Sequence, residues 1–351
     1  MGRGMLPPGR LAGVHHVREC IFSTGGSTIK SSHPDVDDEL WDHETNRPRF
    51  ANFCIKMLEQ EWRAWESVLS QVSETVSVRP PTSSDTPWGR DWALIDGDRF
   101  LQGVVADAAE HFQRFMLAAR DYAETLLVLL KHERLLAEPA WSAVRGIMEA
   151  VLLSCWLLDS TKSSEMRLAR AISLLPSVLQ GSIDTLKKFP DRNAEVEEKR
   201  STQRDLVAYF KKNRVEVVWK CDKQQNPTDT MVAIVFRGSK ASFNHNITQL
   251  AEQYLPGNEW LYPTLSGAAH SEAWLLAGRR ASSAGEALNS VVMPVLPISS
   301  GYLRAICIYF GIDAQPYITA NERRLKALLM RGVTSACSES RPGDRVWHGG
   351  L

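Results

Sequence analysis

From about Asp98 to residue 190 the chain reads as helix with few interruptions, and this stretch most constrains what it can fold into. The segment FLQGVVADAAEHFQRFMLAARDYAETLLVLLKHERLL exceeds an average globular helix and reads as one long member of a bundle. Glu138-Pro139 punctuates it, with Pro139 at the first position of a second helix, AWSAVRGIMEAVLLSCWLLD. That helix is apolar nearly all round, which places it at the centre. A third segment, SSEMRLARAISLLPSVLQGSIDTLKKF, opens on Ser163 and Ser164 ahead of Glu165, an N-cap signature, and Pro176 predicts a kink. The next, DRNAEVEEKRSTQRDLVAYFKKN, is charged and reads as largely exposed.

Upstream, Phe53, Met57, Leu58, Trp62, Trp65 and Leu69 recur at threes and fours, one face of an amphipathic helix that stops before the proline-rich linker VRPPTSSDTPWG. Around 214–236 the texture changes: VEVVWKC is β-branched, and DKQQNPTD separates it from MVAIVF. A hairpin would fit, but the preferred reading is one short strand followed by a helix capped by Thr228. Helices resume at NHNITQLAEQYL and WLYPTLSGAAHSEAWLLAGRR, then at VVMPVLPISSGYLRAICIYFGI and ITANERRLKALLMRGV. The expected fold is therefore all-α, a multi-helix bundle with one short strand or hairpin near 214–236. It spans residues 50–335, with a flexible arm at 1–48 and a flexible tail at 336–351.

Lysine plus arginine and aspartate plus glutamate number 41 each, so no global field favours nucleic acid or an anionic membrane. The six cysteines form no CxxC pair and read as small buried hydrophobes of a reducing compartment. No secretory h-region opens the chain, which points to the cytoplasm. Segments 147–158 and 290–312 are apolar but carry Glu149, Pro294, Pro297 and Arg304, and read as core helices rather than membrane spans. The sequence names no partner, and a homo-oligomer is compatible with it.

Two constellations stand out. Arg145 and Glu149 lie four apart on the most apolar helix, with Trp156 and Asp159 continuing near the same face. A charged pair on such a helix is expected to face inward with a defined partner set, either as a packing lock or as the polar floor of a pocket. Glu149→Ala is then expected to cost about 3 kcal/mol. Tyr262, Ser266 and His270 follow at successive spacings of four. A nucleophilic serine on a regular helix lacks an elbow and an oxyanion hole, so His270 reads as a hydrogen-bonding link between helices. The expected internal network joins both sets and includes Arg170.

These segments resemble a family of uncharacterised actinobacterial helical proteins, which have an Arg-x-x-x-Glu helix ending in Trp-Leu-Leu-Asp, an Arg-rich helix and a Tyr-x-x-Leu-Ser-x-x-x-His helix. The matching positions are Arg145, Glu149, Trp156 to Asp159, Arg167, Arg170, Tyr262, Leu265, Ser266 and His270, within residues 140–277. That family is loosely similar to the HEPN helical proteins, and the resemblance implies an all-helical fold; the expected function is regulatory or defence-type, with no cofactor. The Arg-x(4–6)-His motif by which many HEPN proteins act as ribonucleases is not expected anywhere in this sequence, and so neither is that mechanism.

A different resemblance is carried by NHNITQLAE. Asn244, Thr248 and Glu252 fall at spacings of four and are similar to the magnesium motif of class I terpene cyclases, enzymes that are also all-helical. It implies a Mg²⁺ site for a prenyl diphosphate, completed from a facing helix. In place of a DDxxD motif, Asp96, Asp98, Asp107 and Glu110 would serve, beside His111, Phe112 and Phe115.

Overall fold

The structure, a computed structural model, describes residues 47–77, 85–132, 137–269 and 291–339. All belong to the compact unit Leu40–Leu351. The apolar segment expected at the centre is α4 (Ala137–Leu157), between α3 (Arg99–Lys131) and α5 (Ser164–Leu186) in chain order. Val144, Ile147, Met148, Val151 and Leu152 are wholly buried, and burying each such side chain is worth about 1.5–3 kcal/mol. α4 packs on α3 and α5, on α7 (Ile247–Tyr254) and α8 (Leu261–Ala269), and on α9 (Val295–Phe310). Its segment Glu138–Leu157 is long and apolar enough to cross a membrane, yet 72% of its most apolar window is buried inside the protein. Gly146 lets α3 approach, since a Cβ there would run into the Tyr122 ring.

α3 is one unbroken helix of 33 residues. The Asp98 carboxylate starts it by accepting from the amides of Phe100 and Leu101 at 3.0 and 3.1 Å. Ser163 caps α5 as its spacing predicts, accepting from the Met166 amide at 3.3 Å, and the helix runs on through Pro176. α1 (Arg47–Ser77) and α10 (Gln315–Glu339) pack on α9 and on each other. α6 (Asn193–Lys212) is the charged helix, and after a short 3-10 turn at Pro190–Arg192 it packs on α5. At the end of the expected linker starts a helix the sequence reading missed, α2 (Pro87–Ile95). Thr86 caps it, accepting from the Gly89 amide at 3.0 Å, with Pro87 at its first position.

The stretch 214–242 corrects the preferred reading. It is a three-stranded antiparallel sheet, β1 (Val215–Cys221), β2 (Pro227–Phe236) and β3 (Ser239–Ser242), in the order β1-β2-β3. The turn after β1 is closed by the Asp222 carboxylate, which accepts from the amides of Gln224 and Asn226 at 2.9 Å each. Thr228 caps no helix; its hydroxyl donates across the hairpin to the Lys220 carbonyl at 2.9 Å. Arg237 and Gly238, both at positive φ, make the two-residue turn into β3. Ile234, Phe236 and Ala241 bury a second core against Phe100, Leu101, Leu168, Ile172 and Phe210. Gln180 ties that layer together: its side-chain oxygen accepts from Gln203 of α6 and from the Met231 amide of β2, at 3.0 Å each.

The expected arm at 1–48 lies outside the described residues except where α1 begins at Arg47. The expected tail overlaps the end of α10, which reaches Glu339; the rest lies outside the described residues.

Candidate functional site

The turn between α4 and α5 gathers the most buried ionic groups, and it starts from Asp159, two residues past α4. One oxygen of its carboxylate accepts from the Thr161 amide and hydroxyl at 3.0 and 2.6 Å, the other from Tyr254 at 2.8 Å and Gln253 at 3.0 Å. Arg170 of α5 lies 3.4 Å from that second oxygen and donates to the Trp156 carbonyl. Asp159 and Arg170, both candidates for the expected network, thus meet, and both side chains are buried. Burial pushes the Asp159 carboxyl up, but hydrogen bonds from Thr161 and Tyr254 and the charge of Arg170 outweigh it and hold it below its ordinary value. Arg170 lies 5.1 Å from the Trp156 ring, and His245 packs on the same ring with centroids 4.2 Å apart. Burial, then the charge of Arg170, lower the His245 pKa.

One turn before Arg170, Arg167 faces α2. It clamps Asp91 through two hydrogen bonds of 2.8 and 2.6 Å, a bidentate pair whose side chains are 3% and 4% exposed. Its remaining donors reach the carbonyls of Pro87, Asp159 and Lys162 and the Ser164 hydroxyl. Tyr309 of α9 donates to the same Asp91 carboxylate at 2.9 Å. A third network joins α1, α9 and α10 around Glu61, which is wholly buried. Ser299, Asn321 and Arg324 all donate to its carboxylate, and Trp65 donates to Ser299 at 2.7 Å. Asp91, Glu61, Tyr254 and His245 escaped the sequence reading.

Arg145 and Glu149 correct an expectation. They pair at 2.8 Å, and Tyr262 of α8 lies 3.5 Å from Glu149, so the two sequence-selected helices do meet here. The pair is not inside, however: the side chains are 21% and 36% exposed. Every other face of α4 is taken by a neighbouring helix, and this stripe is the one that reaches water beside α8. Glu149→Ala is therefore expected to cost at most about 1 kcal/mol, the range of a solvated i,i+4 pair, rather than 3. A denaturant midpoint lowered as far as that of a core truncation would show the carboxylate to be essential to packing. Ser266 is half-buried on α8, and His270 lies outside the described residues.

The residues of the magnesium reading are not brought together as that reading requires. Asn244 precedes α7, which Asn246 caps, so Asn244, Thr248 and Glu252 do not share one helix face, and Glu252 is exposed. Asp96 and Asp107 are exposed, Asp98 is committed to capping α3, and Glu110 pairs with Arg114 at 2.5 Å. Among the described residues no three His, Cys, Asp or Glu side chains gather to hold a metal ion. The Arg-x(4–6)-His spacing, missing from the helical segments, does occur at Arg10–His15 and Arg341–His348, both outside the described residues. Three of the cysteines behave as buried hydrophobes: burial pushes the Cys54 and Cys155 thiols up to about 12 and Cys307 to about 11. Cys221, by contrast, is exposed on β1.

The titrations at the α4–α5 turn give a signed expectation. His245 and Asp159 both have folded values below their ordinary ones, so each contributes stability at high pH that is lost as pH falls through the folded value. Melting temperature should therefore fall in two stages, the first beginning near the ordinary histidine value of about 6.5 and the second below about pH 4. In an NMR titration, Arg170→Met should move His245 upward; an unmoved His245 would mean that Arg170 does not bear on it.

α6 and β1 border two open cavities that share Trp219. One, of about 510 Å³, is lined by Arg200, Arg204 and Glu197 of α6 and by Asp229. The other, of about 440 Å³, is lined by Val207, Lys211, Arg214, Val215, Glu216 and Val217. Comparison with protein-family models, with curated proteins and with solved structures finds no match for this chain.

Proposed function

We propose that this chain is a regulatory helical protein of the HEPN-like kind that acts by binding another protein rather than by turning over a substrate. The observation that carries this reading is how its polar groups are used. Asp159 receives Thr161, Tyr254, Gln253 and Arg170, while Arg167 is surrounded by Asp91 and backbone carbonyls, so the strongest internal groups hold helices together. The α6–β1 groove instead presents cations and a half-buried tryptophan to the outside. The HEPN-like part draws support from the contacts of α4 with α5 and α8, the helices that carry the resemblance.

The test is a turnover assay on the full chain with Mg²⁺, in parallel with prenyl diphosphates of several lengths and with single-stranded RNA. Neither diphosphate release nor cleavage is expected. Diphosphate release would favour the magnesium-dependent cyclase alternative. Either activity, reproduced by wild type and lost in Tyr254→Phe at an unchanged fold, would overturn the binding reading.

A further inference from the structure

We propose that the seam between α6 and β1 receives an extended acidic segment of a partner protein, which adds to β1 as a fourth strand of the sheet. This rests on the binding reading above and names the ligand class.

β1 is paired on one side, with β2, and is an edge of the sheet among the described residues. Val215, Glu216 and Val217 are consecutive, so their side chains alternate between faces. A cavity lined by all three therefore runs along the strand's edge rather than over one face. The bulge between Val218 and Trp219 limits regular pairing to Val215–Val218. Past the bulge, Trp219 lines both this cavity and its neighbour, and α6 borders both. The strand-edge cavity suits a peptide: the strand edge offers alternating donors and acceptors, and Val207, Val217 and Trp219 offer apolar contacts for alternate side chains.

Charge sets the class of peptide. In the neighbouring cavity, Glu197 and Asp229 already bind Arg200 and Arg204, at 2.6 Å for Arg200–Asp229 and 3.0 Å for Arg204–Glu197. In the strand-edge cavity Lys211 and Arg214 make no ion pair among the described residues. Arg214 also sits where an arginine is a poor choice for stability. It follows the Asn213 cap of α6 with φ of 58°, the left-handed position that glycine fills at least cost. Its side chain lines the groove, so the position is filled for the cation it places there. A nucleic acid is disfavoured because it has no ladder of amide donors and carbonyl acceptors to pair with the open edge of β1.

The test uses the full chain and a short end-capped fluorescent peptide that alternates valine with aspartate or glutamate, compared with its lysine counterpart. The acidic peptide is expected to bind at least about tenfold tighter, a discrimination of about 1.4 kcal/mol. N-methylation of alternate peptide amides should abolish binding. Arg214→Gly should raise the melting temperature while weakening the acidic peptide severalfold, opposite directions that a merely structural role for Arg214 would not give. Lys211→Glu should weaken it at an unchanged melting temperature. Equal affinity for the two peptides, no binding, tighter binding of oligouridine, or self-association that needs the β1 edge would each overturn the proposal. The turnover assay is untouched by these outcomes, so failure here leaves the broader binding reading to stand or fall separately.

Discussion

Replacing Asp91 with alanine is expected to destabilise the protein by about 3–5 kcal/mol, because it leaves the Arg167 guanidinium buried without its counter-ion. Arg167 and Asp91 are 3% and 4% exposed, so water cannot substitute for the lost carboxylate. The carbonyls of Pro87, Asp159 and Lys162 would still accept from the guanidinium, but neutral dipoles offset only part of a full charge. Tyr309 would lose its acceptor as well, worth about a further 1 kcal/mol. A loss of this size is a large share of the roughly 5–15 kcal/mol that holds a domain together, and should lower the melting temperature by on the order of 10 °C. The double substitution Asp91→Leu/Arg167→Met removes both charges and should be much milder than the sum of the single changes. A melting temperature unmoved by Asp91→Ala would mean that Arg167 finds solvent, and the network described here would be wrong.

Much of the helical frame was legible because periodicity of three and four is written redundantly: α3, α4, α5 and α6 each repeat it over many turns. Short elements lack that redundancy. MVAIVF fits a buried strand or a buried helix equally well, and what decides it is Asp222 folding the preceding turn onto Gln224 and Asn226. β3 went unread because its turn uses Arg237-Gly238 rather than an asparagine or aspartate pair. In DTPWG, Thr86-Pro87 is a cap followed by a first helical residue, though in a proline-rich stretch it looks like a linker. Asp159 was readable as a network member because a charge at the end of an apolar helix needs a partner, but that its partner is Arg170 was not. Arg145 and Glu149 misled by the same logic, since even the most apolar helix can keep one stripe beside a gap between its neighbours.

The signal that would have exposed the deepest charge was available in α1. Cys54, Leu58, Trp65, Val68 and Val72 are buried along one stripe at spacings that leave a single internal position between Leu58 and Trp65, and Glu61 fills it. A carboxylate in the middle of an apolar stripe must be answered from the facing elements. Ser299 of α9 and Asn321 and Arg324 of α10 do so. Glu61→Ala is therefore expected to cost about 3 kcal/mol by leaving the Asn321 amide and the Arg324 cation without their acceptor. Arg324 is 15% exposed and can turn partly toward water, which keeps the loss below that of Asp91→Ala. Glu61→Gln keeps the volume but turns an amide donor toward donors, and should recover little. Because Glu61 is the shared acceptor of α9 and α10, the damage should be local first. Hydrogen exchange should accelerate in α10 well before it does in α4, which supplies none of the donors to Glu61. Uniform acceleration across both helices, or no change in either, would show that Glu61 does not anchor α10.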